Sequence, residues 1–300
     1  MRFFKLRPED TGMMPIDRER FEQATRKMPP WYQPSSSGDE LSQFAVCPAC
    51  DNPIQIIGLY RLPRGVSRPY GKHTNRSVPG VAPLDVERRD ACPYFMPRKP
   101  DRHARRREFD PFARKILKTV IEQFDRIAYV LEKDTGVRLS RRKLQEMLAS
   151  YRKMQGHRYV GANLLNVPWI FAYMTKAVSL YGQKIVDNPE LVEAIERELP
   201  HAMLDDQGRI TNRGSGYVDV NASFILHDCR PGSGGEVVEE MTFCVVTTRH
   251  RRPVEIYRKS IRFDVERFQR LVERPDHGQR RPELVELARR ELGRLLGDPP

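Results

Sequence analysis

The sequence predicts an α+β protein, on three observations. Apolar residues recur at helical spacing across residues 110–200, then alternate at period two after residue 208. Ahead of both lies a cysteine-bearing stretch, residues 44–95, with too much proline and glycine for long helices. The expected order is an N-terminal helix and linker (1–42), a metal-clipped basic module (43–109), a helical middle (110–204) and an antiparallel sheet with C-terminal helices (205–300).

Composition sets the outer bounds. A chain of 300 residues can bury a good core. Its 39% hydrophobic and 31% charged residues stop short of a disordered composition. It contains no apolar run of about 18 residues, so no membrane span is expected. The first residues, Met1-Arg2-Phe3-Phe4-Lys5, lack the apolar core of a secretory leader. Five cysteines is an odd number, which argues against a disulfide framework and for a reducing cytoplasm. The excess of arginine over lysine suggests a GC-rich bacterial or phage source.

Residues 1–14 show no clear period. Asp17 can cap a short helix over residues 15–28. The run Pro29-Pro30-Trp31-Tyr32-Gln33-Pro34 and the serines after it then read as a linker, with Trp31 free to dock on a neighbour. In the cysteine module, residues 54–60 form the one clear strand.

The helical middle opens at Asp110, an N-cap, with Pro111 at the first helical position. One long helix is expected to Gly136, and a second capped by Ser140. A third, over residues 169–181, is apolar nearly all round and belongs at the core's centre. A fourth starts at Asn188-Pro189. Further on, Val218, Val220, Ala222, Phe224 and Leu226 alternate with Asp219, Asn221, Ser223 and His227, placing His227 on the polar face. Strands over 236–248 and 254–263 complete a meander, and two amphipathic helices follow.

The chemistry concentrates in residues 44–95. Cys47-Pro48-Ala49-Cys50 has knuckle spacing: two thiolates three positions apart bind one ion when the backbone turns tightly between them. Pro48 presets the turn, and Asp51-Asn52 tolerate the positive φ that follows. Cys92-Pro93-Tyr94 is followed by Phe95 where a second knuckle would put cysteine. Three thiolates need a fourth ligand; His73 is the first candidate and His103 the second. A Cys3His set is a structural Zn2+ composition, and four filled positions leave none for a catalytic water. The plain alternative is three unrelated small apolar cysteines. The element resembles zinc ribbons and, more loosely, the cysteine-and-histidine element that opens CoiA-type competence proteins. No function is carried over from either.

The net charge is +12, and residues 60–115 alone carry +9 of it. Tyr60, Arg61, Arg64, Arg68, Tyr70, Lys72 and Arg76 follow one another with no acid between them. Cations neutralise phosphates, and tyrosines stack on unpaired bases. With Arg105-Arg106-Arg107 and the helix-opening Arg141-Arg142-Lys143, this points to DNA or RNA as partner. The expected function is a zinc-stabilised nucleic-acid-binding protein, a regulator, mobile-element protein or defence-complex subunit, with protein partners in a nucleoprotein assembly. Helices 111–134 and 140–154 also carry a helix-turn-helix reading, with bundle packing the better one. Two other function classes stand beside nucleic-acid binding. One is a metal-dependent nuclease using Asp219, Glu240 and Glu255 on the strands, with Glu239 and Lys259 nearby. The other is an interaction module meeting an acidic protein. His227-Asp228-Cys229 places a base near a nucleophile in sequence only. There is no phosphate-binding loop, dinucleotide fingerprint or nucleophile elbow, so no catalytic residue is assigned.

Overall fold

The protein is described from a computed structural model, which covers residues 1–35, 41–107, 109–232, 237–273 and 280–297. The linker at residues 36–38 and the turn at residues 233–235 fall outside that set. Among the described residues the chain is mixed α and β, with nine α-helices and several antiparallel sheets. It divides into two units. The first comprises Met1–Lys99, Asn163–Leu165 and Cys229–Val238; the second comprises the rest.

In the first unit, β1 (Phe3–Phe4) pairs with β2 (Met14–Pro15), and α1 (Arg18–Thr25) starts where the Asp17 carboxylate accepts from the Arg20 N–H. Then come β3 (Tyr32–Pro34), β4 (Leu41–Val46), β5 (Pro53–Ile57) and β6 (Tyr70–His73), an antiparallel sheet in sequence order. The proline-rich linker is thus partly a strand. Proline is tolerated there because β3 is an edge, where a missing N–H breaks no central ladder. Trp31 docks as expected, donating its indole N–H to the Leu6 carbonyl at 3.1 Å. A short helix, α2 (Val86–Asp90), follows, capped by Asp85.

The second unit opens with α3 (Pro111–Glu122), capped by Asp110 with Pro111 at its start, and α4 (Phe124–Thr135). The long helix expected over this range is broken at Gln123, whose φ of −115° and ψ of 19° leave helical geometry. Phe124 beyond the break is fully buried and meets Phe171 edge-on at 5.2 Å. Gly136 ends α4 with φ 71° as the αL cap. A Cβ there would lie 2.0 Å from the Asp187 carbonyl oxygen, so only glycine fits.

Next are β7 (Val137–Arg138), α5 (Arg141–Lys153, capped by Ser140), α6 (Val167–Tyr173), β8 (Val178–Ser179) and β9 (Lys184–Ile185, paired with β7). The central apolar helix is shorter than expected. Past Tyr173 the helical bonds give way: the Thr175 N–H and hydroxyl both donate to the Ala172 carbonyl, at 3.1 and 2.7 Å, and the Lys176 N–H donates to the Ser150 hydroxyl at 2.9 Å. Every residue of α6 is buried, as its pattern requires.

The remaining elements are α7 (Pro189–Glu198), the β10–β11 hairpin (Ala202–Leu204, Ile210–Asn212), β12 (Asn221–Pro231), β13 (Val237–Arg249), β14 (Arg252–Arg262), α8 (Val265–Glu273) and α9 (Pro282–Leu292). The sheet runs β14-β13-β12-β8, the expected meander extended by one short strand. One part of the alternation is reversed. Leu226 adopts φ 56° and is exposed, while His227 is buried. The positive φ inserts a local irregularity that shifts the inward set by one residue. His227 therefore faces the interior, where Tyr159 and Glu239 meet its ring nitrogens at 3.0 Å and 2.9 Å.

Candidate metal centre

The turn between β4 and β5 is the cysteine knuckle. Val46 pairs with Pro53, and the Cys47 N–H donates to the Asn52 carbonyl at 2.8 Å, closing the loop. Inside it the Asp51 and Cys50 N–H groups both point to the Cys47 carbonyl, at 2.9 and 3.4 Å. The Ala49 N–H points at the Cys47 sulfur, at 3.3 Å. Asp51 takes the positive φ, 63°, that the sequence anticipates after Cys50. Both sulfurs are thereby turned to one side of the hairpin.

Strand β6 delivers the histidine. His73 pairs with Ile54, the second residue after the knuckle. Alternation along β6 sends Gly71 and His73 to the buried side and leaves Tyr70 half-buried and Lys72 exposed on the other. Cys92 arrives by a different route. The Asn52 side chain accepts from the Asp85 N–H at 2.8 Å and so ties the knuckle to the start of α2. One short helix later, the chain turns through Cys92, whose N–H donates to the Arg89 carbonyl at 3.0 Å.

The outcome is a buried cluster of Cys47, Cys50, His73 and Cys92 whose ligand atoms all lie within 4.8 Å of one another. The Cys47 and Cys92 sulfurs are 3.9 Å apart, and the Cys50 sulfur is 3.3 Å from His73 Nε2. A tetrahedron with metal–sulfur bonds of about 2.3 Å and metal–nitrogen bonds of about 2.0 Å has edges of roughly 3.8 and 3.5 Å. The separations fit that figure, so the group can hold a metal ion. Of the two histidines considered, His73 is the one in the cluster; His103 is exposed. Phe95, standing where a fourth cysteine would, packs edge-on against His73 at 5.6 Å and carries the Arg89 guanidinium on its ring.

The electrostatics favour a cation. Burial pushes the Cys47 and Cys92 thiols well up. Burial also acts against ionisation of Cys50, but hydrogen bonds from the Cys47 and Cys92 thiols and from His73 outweigh it and hold Cys50 well below the usual range. A divalent ion would stabilise all three sulfurs as thiolates.

Behind the knuckle lies a residue that sequence reasoning missed. Lys5 is fully buried. Its main chain bridges to Val46, just ahead of Cys47, with N–H to carbonyl distances of 3.0 and 2.9 Å. Its ammonium donates to the Pro8 and Asp10 carbonyls at 2.7 and 3.0 Å and to the buried Asp51 carboxylate. All three donors are used, and the residue following Cys50 is fixed by an ion pair. No local pattern marks this lysine, because its partner lies 46 residues away.

The basic residues fall into two groups. Arg61, Arg64, Arg68, Lys72 and Arg76 are exposed, and Tyr70 is half-buried. Among the described residues no ion pair engages those five cations. By contrast, Arg105 donates to the Met154, Arg102 and Ala104 carbonyls, and Arg106 to those of Tyr159, Val160 and Ala162. Both guanidiniums hold main chain of the second unit, while Arg107 is exposed. At the start of α5, Arg142 and Lys143 pair with Glu146 at 3.3 and 2.7 Å, which offsets their unfavourable place on the helix dipole; Arg141 is exposed.

The carboxylates considered for nuclease chemistry do not converge. Glu255 pairs with Arg258 and sits opposite Val246, whereas Glu240 lies six residues away along β13, about 20 Å at strand rise. Asp219 accepts from Asn221 and the Thr248 N–H. The cysteine–histidine cluster is the one potential metal-holding group found among the described residues, and no helix there is long and apolar enough to cross a membrane. No protein-family model matches the chain, nor does any curated protein or solved structure.

Proposed function

We propose that the protein is a zinc-stabilised nucleic-acid-binding protein, in which the metal is structural and the basic stretch between its ligands makes the contact. Zinc suits the donor set: three thiolates and an imidazole are its common structural ligands, and four occupied positions leave no site for a reacting water. Cys47, Cys50, His73 and Cys92 would hold the ion. When bound it would supply cross-linking and charge neutralisation, joining the β4–β5 turn, β6 and the chain after α2.

The observation that carries the reading is the row of five exposed, unpaired cations, Arg61, Arg64, Arg68, Lys72 and Arg76, within residues 52–84, which contain no acid at all. A solvated surface interleaves both signs; a stretch of one sign with no internal partner favours a polyanion. The residues between the ligands do the binding, and the cluster fixes both ends of the stretch they occupy.

Salt dependence tests this. If all five cations meet phosphates, the slope of log affinity against log salt is about −4.5 for duplex DNA and about −3.5 for a single strand. Changing Arg64 and Arg68 to Ala should flatten the slope by roughly 1.8 for duplex and roughly 1.4 for a single strand. Affinity that ignores salt, or that the double variant leaves unchanged, refutes the proposal. Capture of an acidic protein with no nucleic acid bound would favour the interaction-module reading.

A further inference from the structure

The exposed stretch contains more than cations. Tyr60 is 47% exposed and Leu62 44%, interleaved with Arg61 and Arg64. Neither is a loosely hanging side chain. Leu59 beside them is buried and anchors the loop. Gly58 takes φ 80°, and Leu62 and Pro63 close over it: a Cβ there would lie 3.1 and 3.3 Å from their side chains. The Val66 N–H then donates to the Pro63 carbonyl at 3.1 Å, turning the chain back.

Tyr60 is held at its hydroxyl, which Glu22 also approaches, and over its ring. Its hydroxyl bonds the Tyr32 hydroxyl at 2.8 Å, and the Arg18 guanidinium lies 5.0 Å from its ring centroid. Arg18 is itself oriented by Glu22, with 3.0 Å from Nε to the carboxylate. Glu22 also pairs with Lys27 at 3.2 Å, so its charge is offset on two sides. An aromatic ring is thus fixed in place on a residue nearly half exposed, with a guanidinium over it and two free arginines beside it.

Resting on the nucleic-acid reading above, we infer that this surface takes single-stranded nucleic acid, with Tyr60 as a stacking platform for an unpaired base and Leu62 packing beside it. Duplex backbone asks only for cations. A fixed, exposed aromatic ring and an exposed leucine between those cations gain nothing from a phosphate row, but every unpaired base offers a π-face to them. Arg18 backs the platform from α1, and Arg61 and Arg64 neutralise the flanking phosphates. The hydroxyl contact with Tyr32 orients the ring in advance, so little ordering cost is left to binding.

The test uses fluorescence anisotropy with the full chain and three probes of equal length: oligo-dT, oligo-U and a mixed-sequence DNA duplex. The wild type should bind the single strands more tightly than the duplex. Tyr60→Ala should weaken single-strand binding by about 5- to 100-fold and leave duplex binding and the salt slope unchanged. Tyr60→Phe keeps the ring and should retain most of the affinity. Metal content and melting temperature of each variant show that the fold is kept. Tighter binding of either oligo-dT or oligo-U than of the duplex supports the inference. A duplex bound as tightly as the single strands, or equal losses on all probes in Tyr60→Ala, overturns the inference while leaving the parent reading intact. If no probe binds in a salt-dependent way, the parent reading itself falls.

Discussion

Replacing Lys5 by Met should destabilise the first unit by about 3 kcal/mol. Lys5 is fully buried and Asp51 is 8% exposed, so Lys5→Met leaves a carboxylate without its main counter-ion in a site closed to water. Breaking such a pair from one side typically costs about 3–5 kcal/mol. The lower figure applies because Arg88 remains 4.0 Å from the other Asp51 oxygen and is partly exposed. The Pro8 and Asp10 carbonyls that Lys5 serves also lose their donor. For a unit of this size the melting transition should fall by roughly 10–20 °C. The transition to follow is the one that chelator shifts, since it reports the metal-bearing unit. Lys5→Met/Asp51→Asn removes both charges and should recover more than half of the loss, because the cost lies in a buried carboxylate that has lost Lys5 rather than in a missing bond. A Lys5→Met protein that melts within a few degrees of wild type refutes this reasoning. A double variant no better than the single one would also refute it.

Three further outcomes follow from the geometry. Cys47→Ser should leave the chain with less than one equivalent of metal and a poorly soluble, protease-sensitive first unit; full metal content in that variant would contradict the cluster. His157 is held at a pKa of about 4, by burial first and then by Arg158 and Arg106. Its folded value lies below the unfolded 6.5, so the stability it confers is complete above pH 6.5 and is lost as pH falls towards 4. The loss is on the order of 3 kcal/mol. His157→Phe should flatten stability measured across that window, and an unchanged slope would count against it. Gly136→Val puts a β-branched side chain at φ 71° against the Asp187 carbonyl, and should cost at least about 1–2 kcal/mol in urea unfolding; a neutral result would show that the α4 cap is not required.

Much of this could be read from the chain. Cys47 and Cys50 stand out because knuckle spacing is a local rule, and Cys92 because cysteine is scarce; His73 was the first of two candidates, and the structure places it rather than His103 in the cluster. The caps at Asp17, Asp110, Ser140 and Asn188 were legible for the same reason: a cap is decided within four residues. What failed was decided elsewhere in the fold. Lys5 gains its meaning from Asp51, 46 residues away in sequence. Arg105 and Arg106 read as free cations in a basic run, yet carbonyls some 50 residues on claim their guanidiniums. Leu226 and His227 exchanged faces through a single positive φ, which a period-two pattern cannot reveal.

On the proposed reading, one zinc ion joins Cys47, Cys50, His73 and Cys92 and so holds the basic stretch in place. Zinc K-edge absorption on the purified chain, with a metal count on the same sample, tests it directly. The expected result is one zinc per chain with three sulfur neighbours at about 2.3 Å and one nitrogen at about 2.0 Å. A folded chain carrying no metal, with all three cysteines open to alkylation, would contradict it.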